Sequence, residues 1–226
     1  MGDAYLTARV LDALSDSECS VCRLLIDDRD RYLDTLLYEF VNDGAVRKRL
    51  RTDGGFCPFH SWSMKQLGNP LGHAIIYTDL LESIGQRRDD PGARECMVCQ
   101  HLRERQSTYI SVLTELVRSD SLRTTFETKG FLCAEHHEAL QMKLGTADRR
   151  WLEGVRGQVA ERVLDELRTL MKSYDYRFSN QPVNSDIWLQ AIEFLKGSEA
   201  TTFGVRRRRG PIRPPKGFVM RDGEKR

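Results

Sequence analysis

Glu18-Cys19-Ser20-Val21-Cys22 recurs 77 residues later as Glu95-Cys96-Met97-Val98-Cys99. Leu25, Tyr32, Leu36 and Asp43 match Leu102, Tyr109, Leu113 and Asp120 at the same offset. One residue then drops out. Arg47, Leu50, Gly54, Cys57 and His60 match Arg123, Phe126, Gly130, Cys133 and His136 at an offset of 76. Residues 18–69 and 95–145 are thus two copies of one unit. Solenoid repeats run about 20–50 residues, so a period near 77 predicts instead a duplicated helical module, with the copies in pseudo-two-fold packing.

All six cysteines fall inside the copies. Each copy reads Cys-x2-Cys, a gap of 34 or 33 residues, then Cys-x2-His. Three thiolates and one imidazole, in two close pairs, suit a tetrahedral metal site. The expected quartets follow the copies: Cys19, Cys22, Cys57 and His60 in the first, Cys96, Cys99, Cys133 and His136 in the second. A helix from Cys22 to about Phe40 carries the chain about 27 Å away. The 17 residues from there to Cys57 are enough to bring it back. Gly55 and Gly130, just ahead of the returning pairs, allow a tight knuckle.

Other readings of the cysteines fit less well. Free cysteines are often packed hydrophobes, but packing does not demand the same spacing twice. Three cysteines per copy leave an odd one for disulfides, and a redox Cys-x-x-Cys belongs in a βαβ setting. Zinc is the default for this donor set, with an iron–sulfur cluster as the alternative. Three thiolates on a divalent ion leave about one negative charge, so Arg23, Arg47, Lys48, Arg51 and Arg123 are candidates to stand near it. His136 is preferred to His137 because His60 has no such neighbour. His73, His101 and the acidic set Asp27, Asp28, Asp30 and Asp34 read as ordinary helix-surface residues.

The 3.6-residue period predicts helices over 4–15, 21–41, 45–52, 58–68, 71–85, 97–118, 120–129, 134–144, 147–178 and 185–196. Apolar residues expected inside include Phe40, Ile84, Tyr174, Trp188, Ile192 and Leu195, besides the Val155, Val159 and Val163 stripe. No alternating strand pattern is found. The architecture expected is all-α, with two tandem duplicated helical metal-binding modules, long packing helices and a disordered basic tail. Its boundaries are 1–88, 89–178, 179–196 for a last helix, and 197–226 for the tail.

The 226 residues carry a net charge of +2, distributed unevenly. Residues 197–226 hold nine basic and three acidic side chains, a charge of +6 that leaves −4 on the rest. The tail also has three of the seven prolines, and such a stretch buries too little apolar surface to order alone. Mean hydropathy is −0.50, and the apolar runs are a few residues long, which excludes a span of about 20. No basic start leads into an apolar core, so the cytoplasm is the expected location.

The doubled Cys-x2-Cys … Gly-Phe-(x)-Cys-x2-His pattern, with a helix of the Leu36-Leu37-Tyr38-Glu39-Phe40 type between, resembles a prokaryotic family of uncharacterised proteins, a domain of unknown function. The resemblance covers roughly residues 15–175. It implies the helical fold and metal ligation and no activity. No Walker loop, G-x-G-x-x-G, H-E-x-x-H or G-x-S-x-G is present, and four protein ligands leave a metal no open position. The expectation is a non-enzymatic, zinc-stapled scaffold, with Arg206, Arg207, Arg208 and Arg209 drawing nucleic acid or an acidic protein. A redox or metal-sensing protein is the alternative.

Overall fold

The computed structural model describes residues 2–14, 18–84, 95–175, 177, 182–198 and 201. Among the described residues ten α-helices run in order: α1 Gly2–Leu14, α2 Ser20–Tyr38, α3 Gly44–Asp53, α4 Pro58–Lys65, α5 Pro70–Glu82, α6 Met97–Leu116, α7 Asp120–Thr128, α8 Ala134–Gln141, α9 Thr146–Ser173 and α10 Ile187–Lys196. They follow the expected helices one for one. Among the described residues the one β contact is an isolated parallel bridge between Cys19 and Phe131. No described helix is long and apolar enough to cross a membrane. Arg206, Arg207, Arg208 and Arg209 lie outside the described residues.

Local chemistry sets the helix ends. Asp43 caps α3 by accepting from the Val46 amide, and Ser119 caps α7 by accepting from the Leu122 amide. The equivalent of Asp43 is thus Ser119 rather than Asp120, so the repeat drops its residue before the cap. Gly54, at φ 77°, ends α3, and Gly55 follows at φ 93°. Both need glycine for the left-handed backbone. Gly130 is a glycine for another reason: a Cβ there would lie 3.1 Å from the Leu14 carbonyl oxygen.

The centre of the molecule is the pair α2 and α6. Asp28 of α2 meets Arg105 of α6 at 2.7 Å, and the Tyr32 ring stacks on His101 at 4.5 Å. Position rises along one helix as it falls along the other, so the two run antiparallel. Asp28 and Arg105 occupy corresponding positions in the two copies, which places the pseudo-two-fold axis between them. Asp28 also accepts from Tyr109 and pairs with Arg9 of α1 at 3.0 Å. The expected solvated position for Asp28 is therefore corrected. It is buried, because the partner helix offers it a guanidinium and a phenol.

Both ends of this pair are embedded in apolar clusters, and each cluster draws on both copies. One holds α1, the start of α2, the end of α6 and helices α7–α10. The other holds the end of α2, helices α3–α5 and the start of α6. In each copy an arginine ties the short helix to the longer one after it. Arg47 reaches Asp79 at 3.0 Å, and Arg123 reaches Asp148 at 2.8 Å. Val155, Val159 and Val163 are buried as expected. Phe40, Ile84, Tyr174, Trp188, Ile192 and Leu195 are not. Most lie in last turns or beyond a helix end, past the reach of a neighbour. On α10, Ile187 and Phe194 take the inward face instead, with Phe194 against Phe131 at 5.9 Å.

Burial pushes the Asp28 carboxyl up, and the bonds from Tyr109, Arg105 and Arg9 outweigh it, holding it below the usual carboxylate value. Its stabilisation is therefore present above the unfolded-state value and fades as pH falls through the folded one. Asp28→Ala, which strands two guanidinium groups, is expected to cost about 3–5 kcal/mol at neutral pH. In urea titrations the gap to the parent protein narrows below about pH 4.

Candidate metal centres

The eight Cys and His side chains converge in two quartets, and neither is the quartet of one copy. Cys19 and Cys22 meet Cys133 and His136, while Cys57 and His60 meet Cys96 and Cys99. The expected within-copy grouping is corrected: each site takes Cys-x2-Cys from one copy and Cys-x2-His from the other. Antiparallel packing is the cause. Nineteen residues of α2 span about 28 Å. Its C-terminal end lies beside the start of α6. The chain turns there through α3 and delivers Cys57 and His60 to Cys96 and Cys99. At the opposite end α7 delivers Cys133 and His136 to Cys19 and Cys22. A return to the chain's own helix start would retrace the length of α2.

In each quartet the donors sit at two converging helix N-termini. Cys19, Cys57, Cys96 and Cys133 are the N-cap residues of α2, α4, α6 and α8, and none uses its side chain for capping. Cys22, His60, Cys99 and His136 follow in the first turns. The positive ends of two helix dipoles therefore face three sulfurs, which favours the thiolate form.

The spacing of the donors is that of a single-ion site. Sulfurs at about 2.3 Å and a nitrogen at about 2.0–2.1 Å from one tetrahedral centre stand about 3.8 Å apart for S···S and about 3.5 Å for S···N. Here Cys22 Sγ to Cys133 Sγ is 3.8 Å, and His136 Nδ1 lies 3.5, 3.4 and 3.2 Å from the sulfurs of Cys19, Cys22 and Cys133. In the other quartet Cys57 Sγ to Cys99 Sγ is 3.7 Å, and His60 Nδ1 lies 3.2, 3.6 and 3.3 Å from Cys57, Cys96 and Cys99. All donor atoms of a quartet lie within 4.8 Å of one another. Nδ1 is the converging nitrogen in both histidines.

Electrostatics separates the two histidines. Burial and the nearby Arg29 guanidinium push His60 down to about 4, so its imidazole is neutral at pH 7 and ready to ligate. Burial opposes protonation of His136 as well, but its contacts with Cys133 and Cys22 win and raise it to about 10. Hydrogen bonds from Cys19 and Cys22 hold the Cys133 thiol far below the ordinary thiol value, while burial drives Cys19 well above it.

Three of the candidate cations are engaged in ion pairs. Arg47 and Arg51 bind Asp79, and Arg123 binds Asp148 and the Val117 carbonyl. Arg29, over the Phe59 ring, faces His60, and Arg156, donating to the Leu132 carbonyl at 3.2 Å, faces Cys133 and Cys19. Neither falls in a Cys or His motif, so spacing alone gives no signal for them. His137 stays outside the quartet, as the repeat requires. His73 contacts the Asn69 carbonyl of its own helix start, and His101 stacks on Tyr32.

A family of unknown function (DUF6062) matches twice, over residues 1–92 and 87–201. The chain belongs to that family. Each DUF6062 match contains one copy of the repeat, and hence half the donors of each quartet. The chain is also similar to an uncharacterised 23.9 kDa protein from the xynA 3′ region of Caldicellulosiruptor sp. (strain Rt8B.4). That relative is 28% identical over 204 residues, covering 84% of this chain and all of the relative. No solved structure matches.

Crossed grouping has a signature in metal content. Cys19→Ser combined with Cys133→Ser is expected to lose the same single equivalent as either change alone. Cys19→Ser with Cys57→Ser is expected to lose both. Metal analysis of the purified variants decides it, since grouping within copies gives the reverse pattern.

Proposed function

We propose that this chain is a zinc-stapled helical scaffold in which two ions, each held by three cysteines and a histidine, join the halves of a duplicated fold. The observation that carries this reading is the donor spacing, with S···S and S···N contacts of 3.2–3.8 Å in both quartets and every donor atom within 4.8 Å of the others. One tetrahedral ion with sulfur and nitrogen ligands demands such distances. A cluster of several irons and sulfides would hold its ligand atoms farther apart than the 4.8 Å limit found here. Structural zinc contributes about 10–16 kcal/mol of apparent binding free energy per site. That equals or exceeds the whole net stability of an ordinary domain, about 5–15 kcal/mol. Four protein ligands also fill the coordination sphere, which favours a structural over a hydrolytic role.

The charge segregation of the sequence supports a second element of this reading, a polyanionic partner for the tail. Arg206, Arg207, Arg208 and Arg209 would engage phosphates of a nucleic acid, with counterion release making the affinity fall steeply with salt. A truncation that tests this starts at residue 202, because Gly197 and Thr201 pack against the first quartet.

Elemental analysis of anaerobically purified protein is expected to give two zinc per chain and no visible absorption. Removing the zinc with a strong chelator is expected to abolish the cooperative thermal transition in circular dichroism. A brown protein containing iron and sulfide overturns the zinc assignment. Metal-free protein with an unchanged transition overturns the scaffold. Loss of low-salt RNA and DNA binding on deleting 202–226 supports the role of the tail, and unchanged affinity removes it.

A further inference from the structure

The two quartets share one cavity but are closed to different degrees. A cavity of about 440 Å³ is bordered by Cys22 and His136 of the first quartet and by Cys57, His60 and Cys99 of the second. In the first, all four donors are buried, with Cys19, Cys22 and Cys133 at 1% exposure. In the second, Cys96 and His60 are buried while Cys57 and Cys99 are half-buried.

The difference has a local cause at the end of α10. Gly197 adopts φ 83°, ψ 176°, a conformation reserved for glycine. Its backbone runs so close over the first quartet that a Cβ would sit 3.5 Å from Cys22 Sγ and 3.6 Å from Cys133 Sγ. The Thr201 hydroxyl lies 4.0 Å from Cys22 Sγ and donates to the Ser198 carbonyl oxygen at 2.7 Å, which holds Thr201 beside the sulfur. Cys57 and Cys99 are more exposed than any sulfur of the first quartet. The cavity beside them is bordered by three basic side chains, Arg29, Arg103 and Lys196, against one carboxylate, Glu135. Arg29 pairs with Asp30 and Arg103 with Glu95, whereas Lys196 has no carboxylate partner among the described residues.

We propose that the Cys57–His60–Cys96–Cys99 site exchanges its metal ion with small anionic chelating ligands through this cavity, while the Cys19–Cys22–Cys133–His136 site holds its ion behind Gly197 and Thr201. The inference rests on the metal reading above and adds a division of labour to it. Ligand exchange at a filled tetrahedral ion requires an incoming donor to reach the ion as a protein donor leaves. At the second site the accessible sulfurs of Cys57 and Cys99 can leave and take protons from water, each replaced by one donor atom of the chelator. The basic side chains of the cavity draw that anion in. At the first site the backbone of Gly197 occupies the approach, and the Thr201 hydroxyl holds the Cys22 sulfur in place.

The test uses the full zinc-loaded chain and the chelator 4-(2-pyridylazo)resorcinol in excess, followed by absorbance. Release is expected in two phases of one equivalent each, separated by at least roughly ten-fold in rate, the lower end of the effect of outer partners on metal sites. Alkylation with iodoacetamide, read by mass spectrometry during the fast phase, is expected at Cys57 and Cys99 before Cys19, Cys22 and Cys133. Thr201→Val is expected to speed the slow phase and leave the fast one unchanged. Two equivalents leaving at one rate, or Cys22 and Cys133 modified first, overturn the proposal while the metal reading stands. Protein that contains no stoichiometric metal overturns the metal reading itself, so the two failures are distinguishable.

Discussion

The antiparallel contact of α2 with α6 is the constraint on which the rest depends. It sets the beginning of each helix beside the end of the other. Whatever follows one helix is therefore handed to the start of its partner. The short helices α3 and α7 make those transfers, and the Cys and His side chains meet where they end. The pair is held at its midpoint by a carboxylate and guanidinium groups, and at both ends by sulfur and imidazole donors. Polar chemistry thus fixes the register of an interface whose apolar residues, such as Leu25, Leu36 and Leu113, would tolerate sliding.

Charge is placed with economy at each of these points. Asp28 is outnumbered by Arg9 and Arg105, and Tyr109 supplies a neutral donor to the same carboxylate. At the quartets three sulfurs meet two helix N-termini and one arginine, Arg29 on one side and Arg156 on the other. None of these groups is part of the Cys-x2-Cys or Cys-x2-His motifs. They come from positions that only the packing brings close.

Much of this was legible in the sequence, and the reasons it stopped are specific. The 3.6-residue period locates the ten helices of the described residues, because that signal is local. The eight donors stand out because the same spacing occurs twice. Their grouping does not, since a gap of 34 residues suits a return to the same helix start as well as delivery to a neighbouring one. The choice depends on whether the long helices lie parallel or antiparallel, and periodicity carries no information on that. Asp28 was hidden for a related reason. It sits among Asp27, Asp30 and Asp34, and the only hint of its partner is a cation at the corresponding position of the other copy, Arg105. Phe40 and Ile84 show the opposite failure: the apolar pattern continues past the point where a neighbouring helix is present to cover it.

The crossed ligation also nests one closure inside another. The inner quartet joins residues 36 to 42 positions apart, the outer one residues 111 to 117 apart. Closing the wider ring costs about 1 kcal/mol more chain entropy, and its last donor, His136, is made long after its first. During synthesis an inner site of this kind would have all its donors as soon as Cys99 has emerged, before most of α6 is made. Cys19 and Cys22 must then wait, partnerless, until another 37 residues have been added. With metal bound, chain order alone would complete the inner clasp first and the outer clasp second.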